Sequence, residues 1–352
     1  MKYLKFTKLK NWEYWPAYMF YVPLLPYALY LALRAKNMVF FSAVNPAIVH
    51  SGNGSESKFK TLELIPESFR PTSIFIKAHE SFNTVAQLIQ KNNLKYPLII
   101  KPDIGFRGLL VKKLDTEAAL QTYLNKNNYI DLIIQEYVDY SNECGIFYHR
   151  MPNETKGKIT SITLKKYLTV TGDGKATLFQ LIQQNKRAKN YMDVIKNLHF
   201  KDFDMVLKNG EKKIISTIGN HSKGTQFING NYLIDKKLEK AIDAIFKRIP
   251  QVYYGRIDMK YESFEHLIQL KDFKIIELNG IIAEPTHIYD SVNGSYLQAL
   301  KEICIHWKLL YKIALINHSQ NQIPFDKISD FIKSVLKIKK HTKLIKQQSL
   351  SI

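Results

Sequence analysis

Charged residues interrupt two otherwise apolar runs in the last third of the chain. "GRIDMKY" carries Arg256 and Asp258, and "IIELNG" carries Glu277 and Asn279. Residues two apart share a face of a strand, so each run would present its polar pair on one side. Three oxygen donors, Asp258, Glu277 and Asn279, suit Mg2+, which takes a few carboxylate oxygens and completes its shell with phosphate and water. Arg256 beside them could stabilise negative charge developing on a phosphoryl group or a tetrahedral centre. The alternative is a cross-strand ion-pair ladder on a solvated face.

Two earlier patches could serve the same chemistry. Lys101 ends the apolar run "YPLIIKP" and is followed by Asp103, Gly105, Arg107 and Gly108 in a turn. An ammonium group beside a glycine-bearing turn can grip phosphate, because glycine lets backbone amides approach. A lysine snorkelling before a proline turn gives the same pattern. In "LIIQEYVDYSNE" an apolar run ends at Glu136, with Glu143 seven residues on. A strand leaving a core can offer backbone groups to an adenine edge, and a following carboxylate can accept from ribose hydroxyls. Each glutamate alone reads as an ordinary surface residue.

The elements that must hold these groups are mixed α and β. Residues 38–50 read as a short buried strand entering the polar loop "SGNGSESK" (51–58), with a second strand over 72–77. Residues 80–92 have helical period, with Phe82, Val85, Leu88 and Ile89 on one face. A strand stopped by Pro102, a glycine turn, a helix over 115–127 and a strand over 129–138 follow. After further strands and a turn at Gly172–Gly174 come a helix at "TLFQLIQQN" and another over 235–249. The runs holding Asp258 and Glu277 read as adjacent strands. A long helix, about 294–316, would bury Leu297, Leu300, Ile303, Cys304, Trp307 and Leu310. No internal repeat is present.

Charge is uneven over the 352 residues. Of a formal +20, residues 1–36 contribute +5 and residues 333–352 contribute +6. Two basic ends around a nearly balanced middle suggest an anionic surface and argue against a nucleic-acid binder, which would need interleaved basic and aromatic residues. Two cysteines, Cys144 and Cys304, exclude a disulfide framework and point to a reducing, cytoplasmic setting. Pro16–Leu33 is free of charge but contains Pro23, Pro26 and several tyrosines. That composition favours a membrane-interfacial element over a span, or an element packed on the protein itself. The tail places Ile332, Val335, Leu336 and Lys339 at helical spacing among lysines, as in a basic amphipathic helix.

Taken in chain order, the Lys101 strand and turn, the strand to Glu136 and Glu143, then Asp258 and Glu277-x-Asn279 resemble the ATP-grasp superfamily of carboxylate–amine ligases. "PLIIKPDIGFRG" and "GRIDMKY…IIELNG" look most like the D-alanine–D-alanine ligase branch, and "VTGDGKATLFQLI" is similar to a stretch of cyanophycin synthetase. The resemblance covers about residues 80–300. It implies an α+β ATP-grasp fold holding ATP between two α+β subdomains, with an aromatic-rich N-terminal region and a basic C-terminal tail. The segments expected are 1–37 aromatic and basic, 38–78 a small α/β region, 79–175 the small subdomain, 176–325 the large subdomain with the metal site, and 326–352 the tail.

The implied activity is formation of a carbon–nitrogen bond through an acyl phosphate, with ADP and phosphate as products. The substrates would be a small or lipid-linked carboxylate and an amine, used at the inner face of a membrane; the alternative is a membrane-associated ATP-binding module without ligase activity. ATP and Mg2+, with Mn2+ as a substitute, are the implied cofactors, and a homodimer the implied assembly. Carried over, Lys101, Asp103, Gly105, Arg107 and Gly108 bind phosphates and Lys165 adds a contact. Glu136, Tyr137 and Val138 form the adenine hinge, and Glu143 holds the ribose. Asp258, Glu277 and Asn279 ligate the metal, and Arg256 and Lys101 act in catalysis. His221, Ser222, Lys223 and Thr225, in "GNHSKGT", face the substrate. The chain departs from the family in lacking Lys or Arg over 78–90, leaving that basic role missing or to Lys77 or Lys91. The N-terminal region shows no match for D-alanine recognition.

Overall fold

A computed structural model describes residues 11–105, 108–192, 195–196, 202–216 and 219–350. Ten helices are used below: α1 Ala17–Tyr21, α2 Leu25–Arg34, α3 Lys58–Glu63, α4 Phe82–Lys91, α5 Glu117–Asn127, α6 Leu178–Gln184, α7 Lys236–Phe246, α8 Phe264–Ile268, α9 Tyr296–Gln320 and α10 Ile328–Leu350. The strands are β1 Ser73–Ile76, β2 Leu98–Pro102, β3 Lys112–Leu114, β4 Leu132–Glu136, β5 Asn142–His149, β6 Lys158–Lys166, β7 Thr169–Thr171, β8 Lys212–Ile214, β9 Gln226–Asn229, β10 Tyr254–Tyr261 and β11 Phe273–Asn279. They form a four-stranded sheet ordered β1-β4-β2-β3, a five-stranded sheet ordered β11-β10-β5-β6-β9, and a β7-β8 ribbon, all with antiparallel pairs. This is an α+β architecture.

Each main sheet buries one face under helices. Val85 and Ile89 of α4 and Leu120 and Leu124 of α5 pack on Leu98, Ile100, Leu132 and Ile134 of the smaller sheet. Leu238, Ile242 and Phe246 of α7 cover Ile146, Ile162, Ile257 and Met259 of the larger one. Side-chain caps fix the helix starts: Ser81 accepts from Thr84 N, and Thr177 and Ser295 each form a reciprocal capping box with the glutamine three residues on.

Four expectations are corrected. Residues 38–50 form no strand but short 3-10 turns at Phe40–Ala43 and Val49–Ser51. Between them buried Asn45 accepts from Tyr253 N at 2.9 Å and Tyr254 N at 3.0 Å and donates to Tyr254 O at 2.7 Å, so a side chain satisfies what strand pairing would have. The expected break at 78/79 fails because β1 pairs with β4, and the break at 175 fails because β5 and β6 belong to the larger sheet. Leu297 is not core; it is 76% exposed, while Ala299, Ile303, His306, Leu310 and Ile313 carry the buried face of α9. The tail is helical, and Ile345 of α10 sits in the smaller sheet's core while His341 Nε2 meets Ile104 O at 3.0 Å.

The charge-free N-terminal segment is helical despite its prolines. Pro23 and Pro26 each lie within the first two positions of a helical turn, where a missing N–H costs nothing. Phe20 and Leu24 join a core with Ala299 and Ile303 of α9, and Leu31 and Ala32 join one with Leu310 and Ile313. Just before it, buried Glu13 meets Arg187 Nη2 at 2.6 Å and His221 Nε2 at 2.7 Å and accepts from Ser291 Oγ at 3.0 Å. Burial would raise this carboxyl, but the His221 and Arg187 contacts outweigh it and hold the pKa at about 2. Its stabilisation is therefore complete above the ordinary value of 4.5 and is lost as pH falls from there towards 2. Glu13→Gln is expected to cost about 3 kcal/mol at pH 7 in urea unfolding, and the difference from wild type should close as pH approaches 2. A difference that stays constant with pH would contradict the ion-pair account.

Candidate active site

β10 is flanked by β11 and β5, and its register assembles the polar groups. Asp258 lies opposite Glu277 on one side and Gly145 on the other; Arg256 lies opposite Asn279 and Phe147. Arg256 clamps its own neighbour, Nε to Asp258 Oδ1 at 2.9 Å and Nη2 to Oδ2 at 3.1 Å, and Nη1 donates to Glu284 O at 3.1 Å. A Cβ at Gly145 would stand 2.9 Å from Asp258 Oδ1 and 3.1 Å from Arg256 Cδ, so the bare backbone there is the room this pair occupies.

From β6, Lys165 Nζ reaches Glu143 Oε1 at 2.7 Å and Asp258 Oδ1 at 3.5 Å. The other oxygen of Glu143 accepts from the Tyr167 hydroxyl. Gly219 packs against the same carboxylate, where a Cβ would come within 2.0 Å of Oε1. Glu143, expected on a ribose, is thus a buried counter-ion with both oxygens engaged, and Lys165, expected on phosphate, is its main partner.

The smaller sheet contributes Lys101. Its Nζ donates to Gln135 Oε1 at 3.2 Å and crosses to β11, donating to Ile276 O at 3.1 Å. Burial pushes this ammonium down to about 8, although Glu277 opposes the shift. Lys58, the first residue of α3, contacts Glu277 directly. Burial works against its charge, yet the carboxylate outweighs it and raises the pKa above the ordinary lysine value. Glu277 in turn, despite burial, is held far below the carboxylate range by Lys58 and Lys101.

Lys58 was not anticipated. The polar loop "SGNGSESK" that leads to it lies across the end of β11: Ile281 N donates to Ser51 O at 3.0 Å and Ile282 N to Gly52 O at 2.9 Å. Gly52, at φ +83°, approaches Gly280 so closely that a Cβ would stand 2.7 Å from its Cα. The glycines at 52 and 54 and the serine cap at 57 marked a shaped loop in the sequence; nothing there marked where it would dock.

The other expected residues are dispersed. Asp103, expected at phosphate, anchors the start of α3: its Oδ1 accepts from Ser57 Oγ at 2.8 Å and Phe59 N at 2.9 Å, and burial raises its pKa. Gly105 and Gly108 lie in the turn after β2, Gly108 at φ +67°, while Arg107 lies outside the described residues. Glu136 turns its carboxylate outward to Thr72 N at 3.0 Å. Lys260, also unanticipated, holds the segment after it, donating to Val138 O at 3.1 Å and Tyr140 O at 3.2 Å, and Lys113 stands 4.6 Å from the centre of the Tyr137 ring. Lys77 and Lys91 are exposed, while Lys113 and Lys260 are the cations in contact with residues 137–140. His221, expected to face the substrate, meets Glu13 and stands among Tyr14, Tyr191, Phe227 and Tyr289. Lys223 is half-buried with its pKa lowered by burial; Thr225 is buried and its carbonyl accepts from Arg187 Nη2 at 2.9 Å; Ser222 lies in the short turn His221–Lys223.

Four cations, Lys58, Lys101, Lys165 and Arg256, thus share this region with the carboxylates of Glu56, Asp103, Glu143, Asp258, Glu277 and Glu284, so the cluster is charge-compensated within the protein and an arriving anion would compete with these carboxylates for the cations. Beyond Arg256 opens a cavity of about 220 Å3, lined by Tyr21, Tyr254, Glu284, His306, Trp307 and the 281–285 segment. Glu284 there accepts from the Tyr21 hydroxyl and, at 2.8 Å, from Tyr289.

Lys101 sets a pH dependence. With burial holding the Lys101 pKa down to about 8, phosphate beside the ammonium would raise it again. Affinity for ATP is therefore expected to fall above pH 8 by up to about tenfold per pH unit, with proton uptake on binding. Calorimetric titrations between pH 7 and 9.5 check this; a flat profile would contradict the assignment, and Lys101→Met should flatten it.

No family model matches the chain, and no curated protein matches it. Solved structures similar to it include the D-Ala:D-Ser ligase VanG from Enterococcus faecalis, at 17% identity over 73% of this chain and 62% of that one, with a TM-score of 0.39. D-alanine–D-alanine ligase from Bacillus anthracis matches at 14% over 78% and 71%, TM-score 0.40. A carboxyaminoimidazole ribonucleotide synthase, solved with ATP, matches at 9% over 75% and 52%, TM-score 0.43. The chain spans only 36% of a bifunctional glutathione synthetase from Pasteurella multocida. Likeness at these scores transfers no residue role and no substrate. The order of the motifs along the chain resembles that of the ATP-grasp carboxylate–amine ligases, and the architecture is α+β, as that resemblance implies.

Proposed function

We propose that this chain is an ATP-dependent ligase that activates a carboxylate as an acyl phosphate and joins it to an amine. The observation that carries the reading is Lys101. It crosses from the smaller sheet to β11 beside Glu277, an ammonium at the junction of two sheets whose chemistry suits phosphate. In the first step a carboxylate oxygen attacks the γ-phosphorus of ATP, the bond to the bridging oxygen breaks, and ADP leaves. In the second an amine attacks the acyl carbon, inorganic phosphate departs with the bonding pair, and the nitrogen loses a proton. Lys101 holds phosphate oxygens, and Arg256, oriented by Asp258 and Glu284 O, offers its guanidinium to the charge on the transferring group. The cavity beyond Arg256 would receive the second substrate, with the Glu284 carboxylate suited to an ammonium.

Mg2+, or Mn2+ in its place, fits the donor chemistry. Asp258, Glu277 and Asn279 share a sheet face, and the buried Asn279 NH2 group, which lacks a protein partner, would face a phosphate oxygen rather than the ion. Among the described residues no three His, Cys, Asp or Glu side chains converge as a metal centre, so the ion would rely on these three oxygens with phosphate and water. When bound it would neutralise charge on the phosphates. Adenine is expected along Glu136, Tyr137 and Val138 through backbone groups, since the Glu136 carboxylate is turned away.

The test is Mg2+-dependent ADP release with panels of amino acids and other small carboxylates, run with hydroxylamine. Trapping of a hydroxamate that depends on both ATP and one carboxylate supports the ligase. ATP binding with no release on any panel would favour the second reading, a nucleotide-binding scaffold, for which the pairing of Asp258 and Glu277 with protein cations speaks.

A further inference from the structure

The N-terminal helical run uses only part of its circumference. Phe20, Leu24, Leu31 and Ala32 are buried against α9, whereas Tyr18, Val22, Leu25, Leu29 and Leu33 are each 50–70% exposed. Their spacing of four, three, four and four places them in one stripe along a backbone that stays right-handed helical through Val22–Leu24. No charged residue interrupts it between Pro16 and Leu33. An apolar stripe of this length in water is unfavourable unless something covers it.

The neighbouring helix says what fits. On α9, Leu300, Cys304 and Trp307 pack with the N-terminal run, and Lys301, Ile305, Lys308 and Lys312 follow at spacings of four, three and four, all exposed. At about 100° per residue this lysine row lies roughly a third of a turn from the α9 face that receives the run. Arg34 and Lys36 close the apolar stripe at its C-terminal end, and Arg34 Nη1 donates to the exposed Tyr30 hydroxyl at 3.1 Å. The acid of α9, Glu302, is half-buried and burial raises its pKa. Apolar side chains, a tyrosine at each end and a lysine row alongside are what the acyl boundary and anionic headgroups of a bilayer recognise. Among the described residues no helix is long and apolar enough to cross a membrane.

We propose that this face lies on an anionic phospholipid surface, with the stripe inserted below the headgroups and the α9 lysines against them. The other side of the same run supplies Tyr21 to Glu284, whose carbonyl holds Arg256, so the docked surface and the candidate site share one helical segment. The proposal does not depend on the ligase reading.

Flotation of the full-length chain with vesicles tests it. Binding is expected to vesicles containing about 30 mol% phosphatidylglycerol, at least tenfold weaker to pure phosphatidylcholine, and weakened by high salt. Leu25→Glu with Leu29→Glu should lower binding more than tenfold, and Lys301→Ala with Lys308→Ala and Lys312→Ala should remove most of the salt dependence. Unchanged thermal melting shows that the variants fold; if the glutamate pair does not fold, Leu25→Ser with Leu29→Ser replaces it. No binding by wild type, or binding indifferent to the stripe, overturns the proposal. So does a dimer in sedimentation that Leu29→Glu dissociates while vesicle binding persists, because the face would then be a contact between copies.

Discussion

Glu277→Ala is expected to reduce ADP release by at least about a thousandfold, or some 4 kcal/mol of transition-state stabilisation. The size follows from the number of groups that depend on this one carboxylate. Lys58 contacts it, and Lys101 lies close enough that the carboxylate keeps its pKa from falling further under burial. Removing it leaves two half-buried ammonium groups without their common counter-charge, which drives Lys101 further towards the neutral form that does not hold phosphate. It also removes one of the three oxygens available to a divalent ion. Glu277→Gln, which keeps the shape but not the charge, should lose nearly as much, because the deficit is electrostatic. Circular dichroism and melting of both variants show whether the fold survives. Retention of wild-type release within threefold by a folded Glu277→Ala protein would remove this residue from the site.

Lys58→Met should separate binding from turnover. Lys58 opens α3 after the loop that crosses the end of β11, whereas Lys101 lies on β2 of the smaller sheet, which we propose holds the nucleotide phosphates. The nucleotide keeps Lys101 and the metal oxygens in the variant, so Mg-ATP affinity should change by no more than about threefold. Turnover should fall about a hundredfold, since removing Lys58 takes away the direct ion-pair partner of Glu277 and changes the charge beside the reacting groups. Freed of its partner, Glu277 should also bind Mg2+ more tightly, visible as a lower Mg2+ requirement. Equal losses in affinity and turnover would instead place Lys58 among the nucleotide ligands.

Local pattern reached most of the elements and half of the site. β10 and β11 were legible because Arg256 with Asp258 and Glu277 with Asn279 break apolar runs at the strand period, and their pairing across one face follows from register. Lys101 was legible from its place at a strand end. Glu13 with Arg187 and His221, and Lys58 with Glu277, join residues far apart in sequence, and no local pattern encodes such pairs. Residues 40–44 misled because a buried apolar run has the same composition whether Asn45 or a neighbouring strand satisfies its surroundings. Asp103 misled for a related reason: a carboxylate in a glycine turn fits a ligand loop, but here the N-terminus of α3 claims it. For Pro16–Leu33, membrane contact and burial in the protein were weighed as alternatives; the structure buries one side of the segment and leaves the other exposed.

The central claim is that Lys101 and the β10–β11 face bind Mg-ATP. Isothermal titration of ATP into wild type and Lys101→Met at pH 7.5, with and without Mg2+, tests it most directly. The account predicts Mg2+-dependent binding by wild type and a loss of about thirtyfold or more in the variant, with proton uptake seen only in wild type. Equal affinity in both proteins, or no binding by wild type at millimolar ATP, would contradict it.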